Sequence, residues 1–290
     1  MPRESRLVLG TVNFGMDYGY LGGASRLTKA TAFRIMQHSV AENIHYFDTA
    51  QDYGESEEIL GQYIGSNQAP QLNVITKFRA DKCNGNPVPE SLRKLNVRQI
   101  YAVLFHDFTD YLRHPKSFRK LQEYQSVGQV KKIGFSLYLP RDLEQLLNSK
   151  IPFEIVQVPY SIFDRRFDPY FSELKERDVE IHVRSIFLNG LFFHDPAMLS
   201  DHFNSVKGAL KELKSLSREL QATRSSLCLN FVYQHELIDK LVVGVRTVDE
   251  LITNVGAISP PLELPCFKEV LDGFACNDQS ILHPHEWRVE

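Results

Sequence analysis

Short apolar runs alternate along the chain with longer segments that have the periodicity of helices. Several of these runs are almost continuously apolar, which is typical of parallel strands that are buried on both faces. Glycine or polar residues separate the runs from the segments that follow them. The pattern predicts eight strands, at residues 6–10, 44–48, 72–78, 100–106, 130–136, 153–158, 179–185 and 239–245.

The segments between these runs predict helices. In residues 28–42 the apolar positions, among them Ala32 and Ile35, recur at three- and four-residue spacing, and Thr28 is placed to cap the first turn. Residues 205–235 are long enough to hold two helices. Further helices are predicted at 55–65, 116–126, 140–148, 167–177 and 247–256.

Strands that alternate with helices are typical of either a doubly wound sheet or a closed (β/α)8 TIM barrel. Eight strands in a chain of 290 residues favour the barrel, because such barrels usually span about 250 residues. No low-complexity linker or block of charge divides the chain, so we predict a single domain over residues 1–290. Residues 259–290 are predicted to form a C-terminal tail that packs on the barrel.

Composition narrows the class of protein. Hydrophobic residues make up 43% of the chain, which is enough for a large core, and the formal charge of -3 gives no reason to expect nucleic acid or an anionic membrane as a partner. No apolar run approaches the ~20 residues of a membrane helix, and the N-terminus lacks the apolar segment of a secretory signal. The four cysteines form no CxxC pair, so we expect a reducing, cytoplasmic setting and no metal site.

Polar residues that end the apolar runs are the candidates for chemistry, because the active site of a (β/α)8 barrel lies at the carboxyl ends of its strands. Asp48, Lys77 and His106 end or nearly end three successive runs, and Tyr53 follows Asp48. Singly, each has an ordinary structural explanation, such as a turn aspartate or a solvent-reaching lysine. Together they would share one mouth, where burying ionisable groups is costly unless they pair. A metal site is the competing explanation, but it needs more histidine and carboxylate ligands than the strand ends supply.

At these residues the sequence resembles the aldo-keto reductase family. The most specific match is YFDTAQDYGESEEILG (46–61), and ITK (75–77) and LFHD (104–107) resemble the strands that carry the family's lysine and histidine. The resemblance spans about residues 6–256 in order. Its other segments are LVLGTVNFG (7–15), KIGFSLYLPRDL (132–143), VQVPYSIFDR (156–165), VRSIFLNGLF (183–192) and VVGVRTVDELITNV (242–255).

The resemblance implies a nicotinamide cofactor and a catalytic tetrad. Tyr53 would be the general acid in carbonyl reduction and the base in alcohol oxidation, and Lys77 would lower its pKa. Asp48 would pair with Lys77, and His106 would orient and polarise the carbonyl. The residue types suit this chemistry, because hydride transfer develops negative charge on an oxygen that a nearby donor must stabilise and protonate. The chain has no GxGxxG turn, which agrees with the family.

The resemblance also implies cofactor contacts at the strand ends, with departures from the family. Leu137 replaces an asparagine that often contacts the carboxamide, so one contact is expected to be lost. Arg184 replaces an aromatic that stacks on the nicotinamide; its planar guanidinium can also stack, and a structural ion pair is the alternative. The predicted contacts are Gly10, Thr11, Asp48, Ser136, Gln157, Arg184, Ser185, Phe187, Gly244, Val245, Arg246, Glu250 and Asn254.

The choice between NAD and NADP depends on the eighth strand. Gly244 and Glu250 stand where many NADP-dependent relatives have a lysine and an arginine for the 2′-phosphate. Glu250 would repel a phosphate or accept a hydrogen bond from a ribose hydroxyl, and Arg246 could compensate by pairing with the phosphate. The family generally uses NADP(H) rather than NAD(H), whereas Gly244 and Glu250 argue for NAD(H).

The predicted function is nicotinamide-dependent reduction of an aldehyde or ketone, or oxidation of the alcohol. The loops at 16–23, 107–114 and 193–203 mix aromatic residues with Asp, Arg and His, which suits a polar small molecule such as a sugar or sugar derivative. The alternative is a cofactor-binding barrel with a regulatory or other non-redox role. The intact tetrad argues against that alternative, and the altered cofactor contacts argue for it.

Overall fold

Eight parallel strands close into a barrel in the order in which they occur along the chain. The computed structural model describes residues 5–19, 25–66, 71–83, 86–263 and 268–287. Each strand pairs with its neighbours in sequence, and β8 pairs with β1 to close the ring. The predicted (β/α)8 TIM barrel is therefore confirmed. The strands are β1 (Leu7–Gly10), β2 (Tyr46–Asp48), β3 (Asn73–Phe78), β4 (Ile100–Phe105), β5 (Val130–Ser136), β6 (Ile155–Pro159), β7 (Glu180–Arg184) and β8 (Lys240–Gly244).

The strand bounds follow burial. All eight predicted runs become strands: β5 has the predicted bounds, and the bounds of the other strands differ from the predicted ones by at most two residues. β4 is buried at every position, as expected for a parallel strand covered on both faces.

Every segment predicted to be helical contains a helix, and the structure adds helices that the periodicity did not predict. Thr28 caps α2 by accepting a hydrogen bond from the Thr31 backbone N–H, and the predicted helix over 167–177 begins with a 3-10 turn, Asp168–Tyr170. None of the helices in the described ranges is long and apolar enough to cross a membrane. They are α1 (Val12–Gly15), α2 (Lys29–Ala41), α3 (Ser56–Ile64), α4 (Val88–Leu95), α5 (Phe108–Arg113), α6 (Lys116–Ser126), α7 (Pro140–Leu147), α8 (Phe171–Glu176), α9 (Lys207–Glu219), α10 (Arg224–Tyr233), α11 (Val248–Ala257), α12 (Lys268–Asp272) and α13 (Gln279–Leu282).

Two layers of apolar packing hold the barrel. The larger one joins the outer face of the strands to the helices, where the rings of Phe105, Phe118 and Phe135 lie stacked. The smaller one contains residues of several strands, including Ile75 of β3 and Ile155 of β6. Two residues further along their strands come Lys77 and Gln157. Since side chains alternate across a strand, these polar residues face the same side as the inner apolar layer, at the carboxyl end.

The C-terminal residues 268–287 also contribute to the core. Leu271, Phe274 and Trp287 are buried, and the Cys276 backbone N–H donates to the Phe163 carbonyl oxygen at 2.8 Å. This segment therefore lies against the loop that follows β6. The assignment of the whole chain to one domain stays a prediction.

Candidate active site

The loop from β2 to α3 carries Tyr53, and a buried hydroxyl network fixes its course. Ser56, the first residue of α3, donates to the Thr11 carbonyl oxygen at 2.9 Å and accepts from the Thr49 hydroxyl at 3.0 Å. Thr11 donates its hydroxyl to the Asp48 carbonyl oxygen at 2.9 Å. Thr11, a predicted cofactor contact, therefore lies fully buried and positions the loop.

Two glycines let α1 lie directly against this loop. A Cβ atom at Gly15 would lie 1.7 Å from the Tyr53 carbonyl oxygen, and one at Gly54 would lie 2.3 Å from the Gly15 carbonyl oxygen. Gly54 also has a φ of 57°, which favours glycine. Any side chain at Gly15 would push the backbone of Tyr53 away from its place.

The ends of β2, β3 and β6 bring together Asp48, Lys77 and Gln157. Lys77 Nζ donates to Asp48 Oδ1 at 2.6 Å and to the Thr49 carbonyl oxygen at 2.9 Å, and Gln157 Nε2 donates to Asp48 Oδ2 at 2.7 Å. The Lys77 and Asp48 side chains are only 1% and 5% exposed. Burial lowers the pKa of Lys77, and the Asp48 charge acts in the opposite direction. The pair is thus a fixed, dry element of the barrel mouth.

Tyr53 lies beside this pair. Lys77 Nζ is 5.1 Å from the centroid of its ring. Burial raises the pKa of Tyr53 well above its usual value, the Asp48 charge adds to the rise, and the Arg184 charge opposes it. The net direction of the pKa shift is opposite to the lowering expected from Lys77, because burial of the phenol is the largest effect and the Asp48 charge acts in the same sense. Tyr53 is therefore held as a neutral phenol, the form that can donate a proton.

His106 follows β4 and completes the group. Its ring meets that of Tyr53 edge to face, with centroids 5.7 Å apart. Burial, followed by the charges of Lys77 and Arg184, lowers the pKa of His106 to about 3. Its Nδ1 is buried without a hydrogen bond and lies 3.7 Å from Asp52 Oδ2. A neutral imidazole of this kind can donate one hydrogen bond to a carbonyl oxygen. The structure thus brings all four predicted tetrad residues to one mouth.

Residues at the ends of β5 to β7 form the next part of the mouth. Ser136 and Gln157 are buried, and Gln157 Oε1 has no hydrogen-bond partner. The Arg184 guanidinium lies 4.0 Å from the Tyr138 ring centroid and donates to the Leu137 carbonyl oxygen at 3.1 Å. Across the described ranges no carboxylate pairs with Arg184, so the structural ion pair considered as its alternative role is not formed. Its positive charge acts on Tyr53 and His106, favouring the ionised phenol and the neutral imidazole.

The predicted cofactor contacts in the loop after β7 already interact with neighbouring residues. Ser185 has a φ of 62° and accepts a hydrogen bond from Arg184 at 3.3 Å, and Phe187 packs against Phe193. Asn189, which the sequence analysis did not select, has a φ of 52° and a buried Nδ2 without a partner. The Asn-Gly pair at 189–190 is typical of a turn, and this dipeptide is the sequence signal that could have identified Asn189.

Of the predicted cofactor contacts near the end of β8, some leave space for a ligand and others are already engaged within the protein. Gly10 and Gly244 are paired in register, and a Cβ at Gly244 would meet nothing nearer than the Gly10 carbonyl oxygen at 4.0 Å. Val245 is buried in the core, and Asn254 Oδ1 accepts from the Ser225 hydroxyl at 3.0 Å. Gly244 therefore leaves room for a ligand, whereas a Cβ at Gly10 would already contact Gly244 and Val242 at 3.4 Å. The Val245 side chain is used in the core, and Asn254 Oδ1 is used by Ser225.

Glu250 and Arg246 are linked by the first turn of α11. Glu250 accepts a hydrogen bond from the Arg246 backbone N–H at 2.7 Å, and the Thr247 hydroxyl accepts from the Glu250 N–H at 3.1 Å. Thr247 is thus the N-cap of α11, and the bond from the Arg246 N–H gives the Glu250 carboxylate a structural role. Arg246 Nη2 donates to the Ser25 carbonyl oxygen at 3.0 Å, while Nη1 is buried without a partner.

The unpartnered polar atoms fit a nicotinamide dinucleotide. Gln157 Oε1 can accept from a carboxamide, and Asn189 Nδ2 and Arg246 Nη1 can donate to phosphate oxygens. They lie on β6 and on the loops after β7 and β8, which are consecutive strands of the barrel. Buried donors and acceptors without partners are costly, so an extended polar ligand across these strand ends would satisfy them.

Comparisons with known proteins agree with this geometry. The sequence profile of the Aldo/keto reductase family matches residues 6–270. The uncharacterized oxidoreductases YrpG and YqkF of Bacillus subtilis are 33% and 23% identical; the alignments cover 93% and 86% of this chain, and 90% and 89% of those proteins. The holo form of the aldo-keto reductase AKR11C1 from Bacillus halodurans superposes with a TM-score of 0.73 at 21% identity, covering 96% of this chain and 95% of that one.

Proposed function

Because this chain belongs to the aldo/keto reductase family, we propose that it is a nicotinamide-dependent oxidoreductase in which Tyr53 exchanges the proton. It would reduce an aldehyde or ketone, or oxidise the corresponding alcohol. The observation that supports this role most directly is the neutral Tyr53 beside a neutral His106, in front of the buried Lys77–Asp48 pair.

The residues divide the work around the reacting oxygen. A bound nicotinamide supplies or takes the hydride. As negative charge develops on the substrate oxygen, the Tyr53 hydroxyl donates its hydrogen bond and then its proton. His106, neutral because of its lowered pKa, donates a second hydrogen bond and orients the carbonyl. Each donor acts in a partly buried mouth, where such interactions are stronger than in water.

The Lys77–Asp48 pair acts through Tyr53. When Tyr53 gives up its proton, the phenolate that forms has its ring centroid 5.1 Å from Lys77 Nζ. Opposite charges at this distance attract each other, so Lys77 stabilises the phenolate while Asp48 keeps Lys77 charged and in place. Arg184, which also favours the phenolate, is a second cation with this effect.

We propose that the cofactor lies across the ends of β5 to β8 and β1. Gln157 and Ser136 would hold the carboxamide, the Arg184 guanidinium would face the ring, and Asn189 and Arg246 would bind phosphate oxygens. Gly10 and Gly244 would admit the dinucleotide backbone. We propose NADP(H) over NAD(H), because the free Arg246 Nη1 is a donor for a 2′-phosphate.

We propose a hydroxylated substrate, such as a sugar or sugar derivative. The mouth offers it charged and hydrogen-bonding groups, namely Arg184, Asp52 and Tyr138, beside the tetrad. We also propose a cytoplasmic location, since neither Cys228 nor Cys276 forms a disulfide. Within the cell, such thiols stay reduced in the cytosol.

Replacement of Tyr53 tests the function. We expect Tyr53→Phe to lower kcat for the best of a panel of aldehydes, ketones and sugars by about 10²- to 10⁴-fold, with an unchanged Kd for NADPH measured by fluorescence quenching. Tyr63→Phe, a buried tyrosine of α3 away from the mouth, is the matched control and should keep full activity. Full activity of Tyr53→Phe would refute the assignment. Tight NADPH binding with no turnover of any compound by the wild-type protein would favour the non-redox alternative.

A further inference from the structure

The C-terminal residues place two histidines and a glutamate around one point. A 3-10 turn over Pro284–Glu286 follows His283, and it turns the chain so that the rings of His283 and His285 stack, with centroids 5.6 Å apart and planes at 19°. His283 Nδ1 and His285 Nε2 each lie 3.6 Å from Glu286 Oε1. All three ligand atoms lie within 4.8 Å of one another.

We propose that His283, His285 and Glu286 bind a transition-metal dication, for which Zn²⁺ is the appropriate probe. Zinc is bound by histidine nitrogens and carboxylate oxygens at about 2.0–2.2 Å in a tetrahedral arrangement, which puts neighbouring ligand atoms about 3.3 Å apart. The two 3.6 Å separations therefore need to shorten by only a few tenths of an ångström. Water would complete the shell as a fourth ligand.

The state of His283 suits this role. Its side chain is buried, and burial together with the Arg166 charge lowers its pKa. A buried ring is also restricted in its motion, so little conformational freedom is lost when it binds an ion.

Arg166 sets a limit on the affinity. Its Nη1 lies 3.2 Å from His283 Nε2, which places the single ring proton on Nδ1. When a metal takes Nδ1, that proton must move to Nε2, and the contact with Arg166 is lost. Arg166 keeps its other two bonds, from Nε and Nη2 to Asp164 at 2.9 and 2.8 Å. We therefore expect weaker binding than at four-ligand structural zinc sites.

The site adjoins the barrel mouth. The His285 ring meets the Tyr138 ring edge to face at 5.4 Å, and Tyr138 lies under the Arg184 guanidinium. Trp287, on the other side of Glu286, is buried against Phe203. A bound metal would thus fasten the C-terminal segment against the residue that supports Arg184.

Calorimetry tests the proposal on the full chain without an affinity tag, after removal of metal with a chelator. We expect one Zn²⁺ per chain, with affinity reduced at least tenfold in His285→Ala and in Glu286→Gln. Both residues are largely exposed, so the variants should fold. His38→Ala, on the exposed face of α2, is the control and should bind as the wild type does. Unchanged binding in His285→Ala, or loss of binding in Cys276→Ser, would overturn the proposal.

Fluorescence gives a second, local measurement. Trp287 is the only tryptophan of the chain, so its emission reports on the adjacent site. Paramagnetic Co²⁺ should quench it in the wild type, and excess Zn²⁺ should restore it, whereas Mg²⁺ should have no effect because it prefers oxygen ligands. Equal quenching in wild type and His285→Ala would place the ion elsewhere and refute the site.

Discussion

The two ends of the barrel both contain buried or half-buried ionisable groups, but they hold them in opposite ways. At the amino end, the Glu180 carboxylate accepts from the Tyr101 hydroxyl at 2.7 and 2.9 Å and pairs with Lys132 at 2.9 Å. Although burial alone would raise it, contacts with His182, Lys132 and Tyr101 bring the pKa of Glu180 down to about 2. At the carboxyl end, Tyr53 and His106 are held neutral.

This difference separates a structural cluster from a reactive one. Around Glu180 the partners are matched to a charge that stays in place, which stabilises the fold. The exception is His182, whose ring nitrogens make no hydrogen bond and whose Nε2 lies 3.4 Å from Glu180 Oε2. Around Tyr53, polar atoms such as Gln157 Oε1 and His106 Nδ1 remain without partners. Groups held in their neutral forms beside unused donors and acceptors are typical of functional sites.

Matched lysine variants test the comparison most strongly. Lys77→Met leaves Asp48 buried without its cation, and breaking such a pair costs about 3–5 kcal/mol. Lys132→Met should cost only about 1 kcal/mol, because Glu180 is 25% exposed and keeps the Tyr101 hydroxyl. Urea unfolding of the two variants gives the free energies of unfolding. Equal costs would show that the two ends do not differ in this way.

Acidification tests the neutral state of His106. Its pKa is about 3 in the folded protein and near 6.5 when unfolded, so its contribution to stability is complete above pH 6.5 and is lost as the pH falls toward 3. Between pH 7.5 and 5, wild type should therefore lose about 1–2 kcal/mol more than His106→Gln. Urea unfolding at both pH values measures this difference. Identical losses in the two proteins would mean that His106 titrates normally in the fold.

Much of the fold follows from the sequence because parallel strands buried on both faces carry a direct signal. The strand ends then locate Asp48, Lys77 and His106 without further information. The sequence does not show whether a side chain at a strand end faces the mouth or is already engaged by other residues of the protein. The pattern does not show that the Val245 side chain is buried in the core or that Asn254 Oδ1 already accepts from Ser225, and as cofactor contacts both residues stay predictions. For Asn189 the Asn-Gly pair signals the turn, but only the structure shows that Nδ2 is buried without a partner.

Helix α4 (Val88–Leu95) is not among the helices predicted from the sequence. It begins with a proline in its first turn and ends at Asn96 in the left-handed conformation, but only Val88, Ser91 and Leu95 are buried. Val88, Leu92 and Leu95 nevertheless recur at four- and three-residue spacing, which is the periodicity of an amphipathic helix, so the sequence does contain the signal for this helix. The burial of Ser91 is explained by Glu57, whose Oε1 accepts its hydroxyl at 2.8 Å, a contact between residues 34 positions apart.

The smallest expected effect concerns cofactor choice at Glu250. Its carboxylate caps the backbone N–H of Arg246, so Glu250→Gln keeps an acceptor there while removing a negative charge next to the arginine proposed to bind the 2′-phosphate. Since Glu250 is exposed and solvent screens its charge, we expect the Kd for NADPH to fall only about two- to fivefold, with the Kd for NADH and the Tm unchanged. Asp249→Asn, the adjacent exposed carboxylate, removes the same charge without touching Arg246 and should change the Kd for NADPH less. If both variants improve NADPH binding equally, the effect comes from net charge alone, and Glu250 has no specific part in excluding the phosphate.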